Sequence, residues 1–238
     1  SAINPFFLSM LGSITRACSQ KGYDLLVSFQ QASNDWHADF EDSNKADGLI
    51  LLGYGDYVDY EEKLVKLLDQ GTHFVRWGAE VKNLPLISIG CDNYQGGKVM
   101  TEHLIKKGRK NIAFLGSAST HAPEFFDRYK GHCESLKANN IAVNPLLQFN
   151  ALYTEEAGYQ AACQLIESAE SFDAICAACD LIAIGAMRAL QEHNIEIPRQ
   201  IALVGFDDIA IASFTFPPLT TVKQDTQLAG ELLVETLL

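Results

Sequence analysis

Positive charge is scarce in this sequence. Eighteen Lys and Arg stand against 30 Asp and Glu over 238 residues, for a formal charge of −12. The acidic excess runs through both halves and no segment forms a basic arm, so these residues lack the surface that neutralises a string of phosphates. Long apolar runs are also missing. A membrane-spanning helix needs roughly 18 or more such residues, and the best stretch, Ala174 to Met187, is interrupted by Asp180. The opening Ser-Ala-Ile-Asn-Pro-Phe-Phe has neither a basic region nor a long apolar one, so no secretory signal is expected. Six cysteines (Cys18, Cys91, Cys133, Cys163, Cys176, Cys179) show no disulfide-scaffold spacing, which suits reduced thiols in a cytoplasm. The phosphate loop G-x-x-x-x-G-K-[ST], the G-x-G-x-x-G turn and the G-x-S-x-G elbow are all absent. The six histidines have no H-x-x-x-H or H-E-x-x-H spacing, so no metal site and no cofactor are expected.

What is present reads as helices alternating with short apolar strands. Phe7 to Gln20 places Leu8, Leu11, Ile14 and Cys18 at helical spacing. Lys21-Gly22 stops that helix, and Tyr23 to Phe29 reads as a strand. The phrase recurs: a helix over Glu61 to Gln70, Gly71, then a strand over His73 to Trp77. It recurs again with a helix over Gly96 to Lys107, Gly108, and a strand over Ile112 to Leu115. Glycine just past a helix end takes positive φ without strain. Asn140 and Asn194 are placed to do the same after helices from about Phe125 and Leu181. Further strands are expected over Gly48 to Leu52, Leu86 to Ile89, Asp173 to Ala177 and Ile201 to Val204. These are near-continuous apolar runs, the pattern of parallel strands covered on both faces. There are more strands than one compact sheet of this length uses, so two Rossmann-like α/β lobes are expected. The seam falls at Gly90-Cys91-Asp92-Asn93, with a cleft between the lobes.

Ligands of open α/β sheets sit beyond the carboxyl ends of the strands. The residues expected there are Arg76 and Trp77, Cys179 and Asp180, and Asp207 and Asp208. Cys176-Ala-Ala-Cys179 has C-x-x-C spacing, but no second pair exists for zinc, and Cys176 lies inside a strand rather than at a helix N-terminus. A core thiol plus one at the strand end is the simpler reading. Asp207-Asp208 reads either as paired carboxylates or as a binding carboxylate beside a cap of the short helix over Ile209 to Phe214. Asp180 opens its helix in the manner of a cap. Tyr153 and Trp77 stand between core aromatics and ligand contacts.

Several phrases occur in an order that resembles one family. They are Asn4-Pro-Phe-Phe7, Ala46-Asp-Gly-Leu-Ile50, Asp92-Asn-Tyr-Gln-Gly-Gly97, His103 to Ala113 and Arg128-Tyr-Lys-Gly131. Asp180-Leu-Ile-Ala-Ile-Gly-Ala186, Ile197 to Asp208 and Pro217-Pro-Leu-Thr-Thr-Val222 follow. Together they span nearly the whole chain, which is similar to the effector-binding region of the lactose-repressor (LacI/GalR) family of bacterial transcription regulators. The resemblance implies a periplasmic-binding-protein-like fold, with lobes at residues 1–91 plus 225–238 and 92–224, closing on a small effector. A sugar is expected first and a nucleobase second. It also implies a homodimer whose N-terminal helix-turn-helix heads, outside this sequence, hold operator DNA. A strand before Asn4 and another after Leu238 belong to the same expectation.

Residue by residue, Arg128 matches the family's effector-binding arginine, and Asp207 its acceptor for hydroxyls or ring N–H groups. Tyr153 matches a stacking aromatic and Phe7 a second aromatic wall. Trp77 falls where the first lobe lines the cleft, with Arg76 beside it. Three positions depart from the pattern. Cys179 stands where asparagine is common, Thr226 where some members carry an aromatic, and Arg76-Trp77 where an aliphatic–polar pair is usual. The resulting expectation is a cytoplasmic, non-enzymatic sensor without membrane contact. A periplasmic sugar-binding protein is the alternative, and a sugar-acting enzyme using Asp207-Asp208 is a third reading.

Overall fold

The structure, a computed structural model, describes residues 4–28, 46–53, 57–81 and 83–238. They group into two compact units, one of residues 1–91 with 225–238 and the other of residues 92–224.

In the first unit, α1 (Pro5–Lys21) starts where Asn4 caps it, its side chain accepting the Phe6 amide, and ends at Gly22 with φ 80°. Strands β1 (Leu49–Leu52), β2 (Phe74–Trp77) and β3 (Ser88–Ile89) form a parallel sheet in that order, with Leu49 opposite Phe74 and Arg76 opposite Ser88. Helix α2 (Tyr57–Asp69) contributes Tyr60, Leu64 and Leu67 to a core shared with Phe74 and Val81. The last helix, α7 (Thr226–Leu237), returns to this unit and packs on α1.

The second unit is continuous in sequence. Its parallel sheet has the order β5-β4-β6-β7-β8, from Gln148–Phe149, Ile112–Leu115, Ala174–Ala177, Ala202–Asp207 and Thr220–Lys223. Every residue of β4, β6 and β7 is buried. Successive side chains point to opposite faces, so both faces of this sheet are covered. Helix α3 (Asn93–Lys106) pairs with α4 (Pro123–Ala138), and α5 (Glu155–Glu167) pairs with α6 (Asp180–Glu192). Each pair meets through reciprocal glycines. A Cβ on Gly97 would collide with the Arg128 carbonyl and one on Gly131 with that of Tyr94; Gly158 and Gly185 stand likewise against Ile182 and Glu155.

The alternation and the parallel, two-sided strands agree with the sequence reading. Asn140 and Asn194 take φ 57°, the left-handed conformation expected just past their helices. Several boundaries move. Tyr23 to Ser28 form no strand; Leu26 and Val27 are exposed, and no strand among the described residues lies beside them to supply ladder hydrogen bonds. Phe29, the end of that expected strand, lies outside the described residues. Arg76, Trp77 and Asp207 are the last residues of strands rather than residues beyond them. Strands β5 and β8 were not expected from the sequence. No helix among the described residues is long and apolar enough to cross a membrane, and no disulfide joins any of the cysteines.

Candidate functional site

The second unit gathers polar groups where β6 and β7 end. Helix α4 buries Phe125, Arg128, His132 and Leu136, a helical stripe in which Arg128 occupies a core position, 4% exposed. A guanidinium so placed needs partners on every side, since burying an unpaired charge is costly. Its Nε donates to Asn93 Oδ1 at 2.9 Å and Nη1 to the Ala178 carbonyl at 2.5 Å. The same Nη1 lies 3.9 Å from Asp207 Oδ1. Beneath it the Phe206 ring centroid is 3.7 Å away and that of Phe125 is 5.4 Å away, so two ring faces line a charge already tied down by hydrogen bonds.

Asp207 is the acidic centre of this group. Gln224 Nε2 donates to its Oδ1 at 2.6 Å. Burial pushes its carboxyl up to about 7, while Arg128 pulls it down, the Asp180 charge raises it and Gln224 lowers it. Tyr153, half-buried, packs against Phe125 with ring centroids 4.6 Å apart and planes tilted by 39°, and takes φ 36° just before α5. Its hydroxyl is raised chiefly by burial, with Glu124, Arg128, Cys179 and Asp207 all acting on it. Cys179 is buried and precedes α6; burial above all pushes its thiol up, so it stands as a protonated, weakly polar group. The structure therefore brings together Arg128, Asp207, Tyr153 and Cys179.

Two readings of the aspartates are corrected. Asp180 does not cap α6. Its carboxylate leaves its own helix and accepts the Ile209 amide at 2.9 Å and the Thr221 hydroxyl at 2.6 Å. Nor does Asp207 or Asp208 cap the short helix Ala210–Phe214, whose N-cap is Ile209 with no side-chain bond. Asp207 faces Arg128 while Asp208 is exposed, so the two do not form an acid–base pair. Cys176, within β6, is buried with its Sγ 3.6 Å from Thr101 Oγ1.

In the first unit, Phe6 is buried between Phe7 (5.3 Å between centroids) and Trp77 (6.0 Å). Gly53, after β1, lies against the Phe7 ring. Arg76 is fully buried with its guanidinium 5.7 Å from the Tyr60 ring centroid. Among the described residues, no group of three His, Cys, Asp or Glu is placed to hold a metal.

Sequence reasoning missed Asn93, Gln224 and Phe206 as partners of the Arg128–Asp207 pair. Asn93 sits inside the phrase Asp92 to Gly97, which enters only through the family resemblance and gives no sign of a contact with Arg128. Gln224 and Phe206 carry no sequence signal, since their roles rest on contacts 17 and more residues away.

A family model described as a periplasmic binding protein-like domain matches residues 101–238. The HTH-type transcriptional repressor PurR of Histophilus somni (strain 2336) is 27% identical over 233 residues, covering 95% of this chain and 68% of that protein. The ribose operon repressor of Escherichia coli (strain K12) is 26% identical over 241 residues, covering all of this chain and 72% of the repressor. Among solved structures, the complex of the transcriptional regulator CelR with cellobiose superimposes with a TM-score of 0.88 at 25% identity, covering 98% of this chain and 72% of that one.

Two parallel α/β units, with the family model matching residues 101–238, place the chain in the periplasmic-binding-protein-like class. Within it, this chain belongs to the lactose-repressor (LacI) family, as the effector-binding domain of transcriptional regulators rather than an enzyme.

Proposed function

We propose that this domain binds a saccharide or sugar derivative and couples that binding to operator affinity. The observation that carries this reading is the Arg128–Asp207 pair. It joins a buried fork of donors to a buried acceptor, with Phe206, Phe125 and Tyr153 as apolar faces beside them. A sugar offers hydroxyls to such a fork and C–H faces to such rings. A nucleobase, with ring N–H groups for Asp207 and a flat face for Tyr153, is the second candidate class. Cellobiose in the CelR complex supports the first. In the other unit, Phe7 and Trp77 are proposed as further contacts on the strength of the family pattern; Arg76, expected with them, is fully buried against the Tyr60 ring.

DNA binding belongs, in this proposal, to a helix-turn-helix segment outside these residues, in a homodimer acting in the cytoplasm. The HTH-type name of the relative and its greater length support that placement. An effector that favours one conformation of the dimer then shifts operator affinity, and operator shifts effector affinity by the same factor.

A thermal-shift panel of mono- and disaccharides against nucleobases tests the reading, since a ligand at 100 times its Kd adds about 2.7 kcal/mol of stability. A sugar is expected to give the largest shift; a response confined to nucleobases replaces the sugar reading. Arg128→Ala is expected to weaken the best binder by about 2–3 kcal/mol through lost charge-assisted bonds. An unchanged calorimetric titration removes Arg128 from the site. Light scattering at micromolar concentration is expected to return a dimer mass, and a monomer mass contradicts the homodimer.

A further inference from the structure

Asp207 points at Arg128 from an improbable piece of backbone. It has φ 121° and Asp208 has φ 57°, two successive non-glycine residues in conformations that persist only where the surroundings over-determine them. What holds them comes from α6 and β8. The Asp180 carboxylate, fully buried, accepts the Ile209 amide at 2.9 Å and the Thr221 hydroxyl at 2.6 Å. The Asp208 amide donates to Thr221 Oγ1 at 3.3 Å and also acts on the Asp180 carboxylate. The amides of the two residues after Asp207 are thus both anchored by one carboxylate–hydroxyl pair. Gly205 completes the device, because a Cβ there would collide with Asp180 Oδ1.

We infer that Asp180, together with Thr221, is a positioning residue of the effector site: it pins the Asp207–Asp208 turn so that the Asp207 carboxylate faces Arg128. This rests on the proposed function only in calling the cluster an effector site; the pinning itself is independent of any ligand. Asp180 acts on Asp207 in two ways, by geometry and by charge. The other groups facing Asp207 are Arg128 from α4, Gln224 after β8, Cys179 before α6 and Tyr153 before α5.

The test is carboxyl 13C NMR titration of Asp207 in the ligand-free protein, for the parent, Asp180→Asn and Thr221→Val. Burial is the largest influence holding Asp207 near 7. Release of the turn lets the carboxyl reach water, and its midpoint is expected to fall by about one pH unit or more. Thr221→Val is decisive because it removes a hydroxyl and no charge, at a half-buried edge-strand position where the fold is expected to survive. A fall in both variants supports the positioning role. A fall in Asp180→Asn with Thr221→Val unmoved shows that charge alone acts and overturns it, as does no movement in either. The sugar giving the largest thermal shift with the parent is then titrated against Thr221→Val, where about fivefold weaker binding is expected. If no sugar shifts the parent, the effector reading fails while the NMR result still decides the positioning.

Discussion

A carboxylate at the end of β7 costs this protein stability rather than supplying it. Asp207 moves from an ordinary 3.8 to about 7, chiefly because burial disfavours its charge. Between those values the folded chain keeps a proton that the unfolded chain releases. The cost of burying the charge is therefore absent below about pH 4 and complete above about pH 7. Asp207→Asn is accordingly expected to gain stability relative to the parent as pH rises from 5 to 8, by up to a few kcal/mol at about 1.4 kcal/mol per pH unit. Parallel urea titrations at the two pH values measure the difference, and a constant offset contradicts it. His132 has the opposite sign: burial lowers it to about 4, so it costs stability as pH falls below its unfolded value of 6.5. Of the candidate site, Arg128, Asp207 and Tyr153 were named through the family resemblance and Cys179 as a departure from it. Asp180 was misread because an aspartate at a helix start looks the same in sequence whether it accepts its own helix's amides or those of Ile209, 29 residues away.

Helices in the second unit approach each other through glycine, and their ends obey local rules. Gly131→Ala pushes a methyl group into the Tyr94 carbonyl across the α3–α4 contact. Overpacking of this kind typically costs about 1–3 kcal/mol. Thermal unfolding is expected to show that loss, and because Gly131 is one turn from Arg128, ligand affinity should drop with it. Gly12, with open space around its Cβ position, serves as the control: Gly12→Ala within α1 should be neutral or stabilising. Helix ends were readable because capping is local: Gly22, Gly71, Gly108, Asn140 and Asn194 all take positive φ. Strands were less so. Strand β8 is Thr-Thr-Val-Lys with both ends exposed, and β5 has two residues, so neither carries an apolar run. Tyr23 to Ser28 carries one and yet forms no strand; pairing needs more than an apolar run, and no strand among the described residues is laddered to it.

For the whole molecule, continuity differs between the units. Residues 92–224 form an uninterrupted unit holding five parallel strands and both glycine-paired helix couples, whereas the other unit needs α7 from the far end of the chain. Residues 92–224 expressed alone are expected to fold cooperatively, with helical circular dichroism and a single urea transition. Removing residues 225–238 from the full chain is expected to expose the 1–91 region to limited proteolysis and to leave 92–224 protected. Equal protection of both regions, or loss of both, contradicts this. Local patterning determined the α/β class, the parallel strands, the helix ends and, through its phrases, the family, because periodicity and capping depend on neighbours within a few residues. Only the tertiary structure decided which groups hold Arg128, what Asp180 binds and how Asp207 comes to face a guanidinium. Those are contacts between segments 29 to 79 residues apart, and no local pattern encodes the partner of a buried charge. The scarcity of basic residues argues against these residues as a phosphate-neutralising surface; a guanidinium and a carboxylate buried together provide the polar chemistry of the proposed effector site.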